Sequence, residues 1–277
     1  MIDTDSCFIN IGQYLIDKGV RKQFDVLDQK SQVEYVERIS RIIAKHINKQ
    51  SVDITQKLHY NSQVTDFGVT FEPEKVALTA LFACKKRYAS WVLSNGGLWR
   101  DKLAITGLDV IRSDSPEIVK PKILEILTMI LKKHSDSEIR DIISKFKIEL
   151  QQATPEEIAE NKGINQLEKY LLPNYEWKLK TPHQIKGVAN FNFLLDKFNL
   201  RDKYDSPQEG VKAKIVYLMP NKFGKDSLSF YKWPVEFNKL GIHVNKTKMI
   251  ENNFTKKIRG LLMAMNKTEL LESESLF

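Results

Sequence analysis

Cysteine is nearly absent from these 277 residues. Only Cys7 and Cys84 occur, with no C-x-x-C and no cluster of cysteine and histidine. Neither a disulfide framework nor a zinc site is indicated, and the expected setting is a reducing compartment, the cytoplasm. Long hydrophobic runs are missing as well. No apolar stretch approaches 18 residues, so no membrane span is expected, and the acidic start lacks a secretory signal pattern. Internal repeats and low-complexity linkers are also lacking. What is present is hydrophobic mass and positive charge. Hydrophobic residues make up 42% of the chain, enough to bury a core and build two units. Lys and Arg outnumber Asp and Glu by 43 to 35, a net charge of +8. That excess favours a polyanionic partner, nucleic acid ahead of an acidic membrane surface.

The stretch Ile2-Asp3-Thr4-Asp5-Ser6 concentrates candidate chemistry. On a strand, Asp3 and Asp5 share one face and Thr4 takes the other. Paired carboxylates of this kind suit Mg²⁺ or Mn²⁺, hard ions that bridge carboxylates and phosphates. A D-x-D also serves glycosyltransferases and simple solvated turns, and these readings stay open on the residues alone.

Further on, the spacing of Val33, Val36, Ile39, Ile42, Ile43 and Ile47 predicts a helix over Ser31–Lys49, with Ser31 and Glu34 as a capping box. Residues 64–72 are β-prone. Val76 to Val92 reads as an apolar strand interrupted by Lys85-Lys86-Arg87 and Tyr88. In that strand Lys86 and Tyr88 would face one side, Lys85 and Arg87 the other. The run is either an edge strand protected by charge or a phosphate and groove contact. Asn95-Gly96-Gly97 predicts a hairpin. Ser115 and Pro116 predict the start of a helix over 116–134, and further helices are expected over 136–151, 155–171, 189–198 and 254–266. A strand is expected over Ala213–Leu218 and a turn at Asn221–Gly224, with a domain boundary near Gly107–Ser115.

Several of these marks fall in one order. DTDS at 3–6, KKRYA at 85–89 and ITGLDVIRSDSP at 105–116 resemble family B DNA polymerases. HQIKGVANFN (183–192) and MPNKFGKDSLSFYKWP (219–234) are similar to thumb segments of the bacteriophage replicative branch of that family. The resemblance implies an α+β fold: residues 1–109 as part of a polymerase palm, an antiparallel sheet with packing helices, and 110–277 as a mainly helical thumb with a small β subdomain. It further implies that Asp3 and Asp5 are the motif C aspartates, with Asp5 helping to hold two Mg²⁺ ions (or Mn²⁺) shared with a partner chain and Asp3 supporting the primer-terminus geometry. Thr4 and Ser6 would shape the motif C hairpin where it meets the DNA, and Lys85, Lys86, Arg87 and Tyr88 would grip the new duplex. Leu276 and Phe277 match a tail that docks on a sliding clamp; a frayed terminus is the alternative.

The same resemblance implies what else is needed. The motif A carboxylate, the fingers lysine and the exonuclease are not among these residues. The expectation is therefore a split polymerase, with a separate N-terminal chain as partner and primer-template DNA and deoxynucleoside triphosphates as substrates, in a bacterial host cell if phage-encoded. The other reading is a non-catalytic duplex-binding and clamp-tethering module. A DxD glycosyltransferase is set aside, because it requires a nucleotide-binding α/β domain ahead of the DxD.

Overall fold

A computed structural model of the chain describes residues 7–58, 70–108 and 114–271. Helices and two small antiparallel sheets are mixed, and the chain divides into two compact units between Gly107 and Leu108.

The first unit begins with α1 (Ile11–Asp17), started by the Asn10 side chain accepting the Gly12 N–H, and α2 (Arg21–Asp25). The long α3 (Gln29–Leu58) follows. Its start corrects the sequence expectation. Asp28 caps the helix by accepting the Ser31 N–H at 2.9 Å, so Ser31 lies inside the first turn rather than at the cap. The helix then runs on past Lys49, because no glycine or proline interrupts it. Val33 and Ile39 are buried, whereas Ile42 faces solvent, so the apolar stripe is narrower than the periodicity suggested. Thr70–Glu72 forms no strand; the rest of the β-prone 64–72 segment lies outside the described residues. Asn48 ties this entry to α3, its amide donating to the Phe71 carbonyl (3.0 Å) and accepting the Phe71 N–H (2.7 Å).

The sheet is β1 (Lys75–Cys84), β2 (Arg87–Asn95) and β3 (Leu98–Thr106), antiparallel in that order. Here too the expectation changes. The run from Val76 to Val92 is a hairpin rather than one strand, and Lys85-Lys86 is its turn, with Phe82 opposite Tyr88. Charges at a tip reach water without desolvation, so the predicted two-sided alternation of Lys85, Lys86, Arg87 and Tyr88 does not arise. Nor is this an edge: β2 is the central strand. At the other end, Gly96 and Gly97 both adopt positive φ (59° and 76°), the mirror turn expected of a tight hairpin.

The second unit is mainly helical around a three-stranded sheet. α4 (Val119–Leu131) starts three residues after Pro116, without a side-chain cap. Ser115 does not cap it. Its buried hydroxyl instead accepts a hydrogen bond from the Lys257 ammonium. Pro121 falls in the first turn, where a missing N–H costs nothing. α5 (Asp136–Gln152) carries a full capping box from Ser135 and Glu138, and α6 (Pro155–Ile158) another from Thr154 and Glu157. The helix expected over 155–171 is not continuous. Glu160–Gly163 forms β4, pairing with β5 (Lys212–Tyr217), and α7 (Leu167–Tyr170) follows. Pairing to a distant strand overrides local helix propensity.

α8 (His183–Lys197) begins six residues before the expected start and packs on β6 (Ser227–Phe230). Gly187 permits that approach: a Cβ there would lie 2.5 Å from Ser229 Oγ and 2.7 Å from its N. After the short α9 (Glu236–Lys239), the expected terminal helix proves longer. α10 (Lys246–Ile250) passes through a π turn at Glu251–Thr255 into α11 (Lys256–Met263). Phe146 and Phe254 pack edge to face beneath that turn, centroids 4.9 Å apart. Phe191, Phe230, Trp233 and Phe237 form a second aromatic cluster between α8 and β6. Each such ring contributes about 1.5–3 kcal/mol on burial.

Candidate nucleic-acid interface

The Lys85-Lys86 hairpin tip is built by contacts at its base. Lys86 takes a left-handed backbone (φ 61°) and its carbonyl lies against Gly107, itself at φ 62°. A Cβ on Gly107 would sit 2.1 Å from that carbonyl oxygen, so only glycine fits. Lys85, Lys86 and Arg87 are exposed, and Tyr88 is half-buried. Tyr88 belongs to an aromatic triad. Phe8 meets Phe82 edge-on at 5.0 Å and Tyr88 at 5.1 Å, and Phe82 and Tyr88 are 5.6 Å apart. Phe8, two residues after the DTDS run, thus rests on the base of the KKRY hairpin.

Asp3, Thr4, Asp5 and Ser6 themselves lie outside the described residues, as do Leu276 and Phe277. Among the described residues no group of three or more His, Cys, Asp or Glu side chains could hold a metal ion. The described residues therefore do not supply the implied metal site, and that assignment rests on Asp3 and Asp5 alone.

A second positive surface, which sequence reasoning passed over, lies in the second unit. Its residues come from the strap before α8, from α8 itself and from the loop before β6. Lys186, Phe193 and Lys197 share one face of α8, being 7 and 11 residues along from the first. Trp177 on the strap carries two ammonium groups, Lys186 and Lys225, each 5.8 Å from its ring centroid. Lys225 also sits 4.4 Å over Phe193, Lys197 lies 5.5 Å from both Phe193 and Phe223, and Lys222 lies 5.2 Å from Phe223. The loop is held by the Asn221 side chain. Its amide donates to the carbonyls of Met219 (2.9 Å) and Lys225 (2.7 Å) and accepts the N–H groups of Phe223 and Lys225.

Burial pushes the Lys225 pKa down despite the neighbouring Asp226 carboxylate. A partly dehydrated cation of this kind gains more than an exposed one from an incoming anion. Four lysines interleaved with aromatic rings suit a polyanionic chain with stackable or apolar edges. Beside them His183 stacks on Tyr217 (centroids 4.5 Å apart), with Lys248 Nζ 3.9 Å over the same ring. Burial depresses the His183 pKa; Lys248 and Lys186 push it further down, and Asp226 opposes. Its Nε2 is buried with no hydrogen-bond partner among the described residues.

The described end of the ITGLDVIRSDSP run is structural. Asp114 takes Lys162 Nζ at 2.7 Å, and its backbone carbonyl accepts the Asn161 N–H. Burial raises the Asp114 pKa, but Lys162 and Lys257 outweigh it and hold the carboxyl below its usual range.

The family model for DNA polymerase family B matches residues 30–253, a range that includes the KKRY hairpin and every member of the lysine–aromatic face. The chain belongs to DNA polymerase family B. Members of this family are DNA-directed DNA polymerases, acting on DNA and deoxynucleoside triphosphates with divalent metal ions. A comparison with curated proteins finds no match. In this polymerase sequence Asp3 and Asp5 precede the matched range, and Leu276 and Phe277 follow it. No helix among the described residues is long and apolar enough to cross a membrane.

Proposed function

We propose that residues 1–109 are the motif C part of a polymerase palm and 110–277 its thumb. The thumb grips primer-template duplex while Asp3 and Asp5 serve nucleotide addition. The observation that carries this reading is convergence. The two segments that resemble phage polymerase thumbs, 183–192 and 219–234, are distant in sequence yet meet in one surface of four lysines and three rings. Lys85, Lys86, Arg87 and Tyr88 add a second grip in the first unit, Tyr88 offering a ring and its neighbours three charges.

Bound magnesium would activate the primer 3′-hydroxyl and neutralise the triphosphate. Asp3 and Asp5 are too few to surround two ions, so a further carboxylate and the phosphate-contacting lysine come from polymerase sequence outside these residues, on the N-terminal partner chain. Leu276 and Phe277 tether the complex to a sliding clamp.

Primer extension with Mg²⁺ and the four deoxynucleotides tests this, using the chain alone and with a polypeptide carrying motifs A and B. Extension is expected only in the mixture. Asp5→Ala should abolish it while duplex binding stays within about twofold. Extension by Asp5→Ala would remove the catalytic assignment. Duplex binding with no extension by either preparation would favour the non-catalytic, clamp-tethering module instead.

A further inference from the structure

Between α7 and α8 a turn leaves an apolar side chain in water, directly past a small hairpin whose apex is Pro173–Tyr175. Leu171 and Trp177 bridge across its base, Leu172 N–H donates to the Glu176 carbonyl (2.9 Å), and Lys178 N–H donates to the Tyr170 carbonyl (2.9 Å). The chain then makes a four-residue turn, Lys178-Leu179-Lys180-Thr181. It is closed twice onto the Lys178 carbonyl, by the Thr181 N–H (3.3 Å) and the Thr181 hydroxyl (2.6 Å). Lys180 adopts φ 65° at the third position, where glycine would be unstrained. Asn174 and Tyr175 are also left-handed. Three non-glycine residues held in that region mark a built loop rather than slack chain.

In this turn Leu179 is 90% exposed, more than any other large apolar side chain among the described residues. It contributes nothing to the core, and its neighbours Lys178 and Lys180 are exposed cations. Two residues back, Trp177 is already part of the lysine–aromatic face.

We propose that this turn is a groove probe: Leu179 seats in the minor groove of duplex DNA, against sugar and base edges, with Lys178 and Lys180 on the bordering phosphates. The inference rests on the reading of the second unit as a duplex-gripping thumb. The chemistry is complementary at each position. The minor groove, about 6 Å wide, presents apolar sugar edges between two phosphate rows, and leucine is among the side chains that enter it. A protein partner would supply apolar surface but no reason for the two flanking cations.

The test is the salt dependence of duplex affinity for the full chain, read by fluorescence anisotropy. Leu179→Ala should weaken binding roughly 5–10-fold at every salt concentration with the slope of log K against log salt unchanged, because no phosphate contact is lost. Lys178→Ala and Lys180→Ala should each reduce that slope by about one. A minor-groove ligand bound beforehand should erase the difference between wild type and Leu179→Ala. Since Leu179 is exposed, its variant should melt with the wild type.

Wild-type affinity in Leu179→Ala would overturn the probe, as would a changed slope in that variant or a difference that survives the groove ligand. If Lys225→Ala still weakens binding in any of those cases, the thumb reading stands without the probe. If Lys225→Ala is also silent, the thumb reading itself fails.

Discussion

The two units present positive charge in opposite ways. In the first, Lys85, Lys86 and Arg87 crowd one hairpin tip, exposed, with the Lys86 carbonyl seated closely on Gly107. In the second, Lys186, Lys197, Lys222 and Lys225 lie over rings, and each of the three rings is shared between one lysine of α8 and one of the loop before β6. The tip is a local device that one residue can unseat. The face is redundant, since removing one ammonium leaves its ring with another. Binding surfaces in the two units should therefore fail differently.

The largest effects should come from the two glycines that set these surfaces. Gly107→Ala and Gly187→Ala each force a Cβ into backbone or a hydroxyl at 2.1–2.5 Å. Each should cost about 2–4 kcal/mol, confined to its own unit. Calorimetry should show two transitions, with each variant lowering one; a single transition lowered alike by both would break the comparison.

Next in size, Lys186→Ala with Lys225→Ala together strips Trp177 of both cations. Duplex affinity should drop roughly 10–100-fold at low salt and the salt slope by about two, while either single change costs only a few-fold. Equal losses in single and double variants would contradict the redundancy. Lys86→Ala should be milder, a few-fold weaker with the slope reduced by about one. An unchanged slope would make the tip a structural turn only.

The smallest effect concerns pH. Burial depresses the His183 pKa below its ordinary 6.5. The neutral ring is therefore the folded form, and its contribution is complete above 6.5 and lost as pH falls through the folded value. Urea midpoints should drop from pH 7.5 to 5.5, and His183→Gln should flatten the drop. Parallel profiles would place the sensitivity elsewhere.

Much of this architecture can be read from local chemistry. Gly96-Gly97 announces its hairpin, Ile123 to Leu131 their helix, Asn221 its turn and Ala213–Tyr217 a strand. The failures share one cause: the deciding contact is remote. Nothing local marks Lys85-Lys86 as a turn, because the glycine that accommodates it is Gly107. Glu160–Gly163 looks helical until Lys212–Ile215 pairs with it. His183–Val188 falls outside the helix expected over 189–198, although Gly187 within it is the residue on which β6 rests. The lysine–aromatic face was half visible. Lys186, Phe193 and Lys197 are spaced for one helix face, but Trp177 and Lys225 join them only through the fold. Asp3 and Asp5, the most legible motif, lie outside the described residues.

The pairing of β4 with β5 has a further consequence. Glu160 opposes Ile215 and Gly163 opposes Lys212, while α8, carried between those strands in sequence, is packed on β6. The polypeptide between them is enclosed at both ends by hydrogen-bonded neighbours. A cut peptide bond in the exposed Arg201-Asp202-Lys203 stretch would separate the chain covalently but not physically. Both fragments would stay associated through the sheet and the helix interface, so this unit has the makings of a natural fragment-complementation pair.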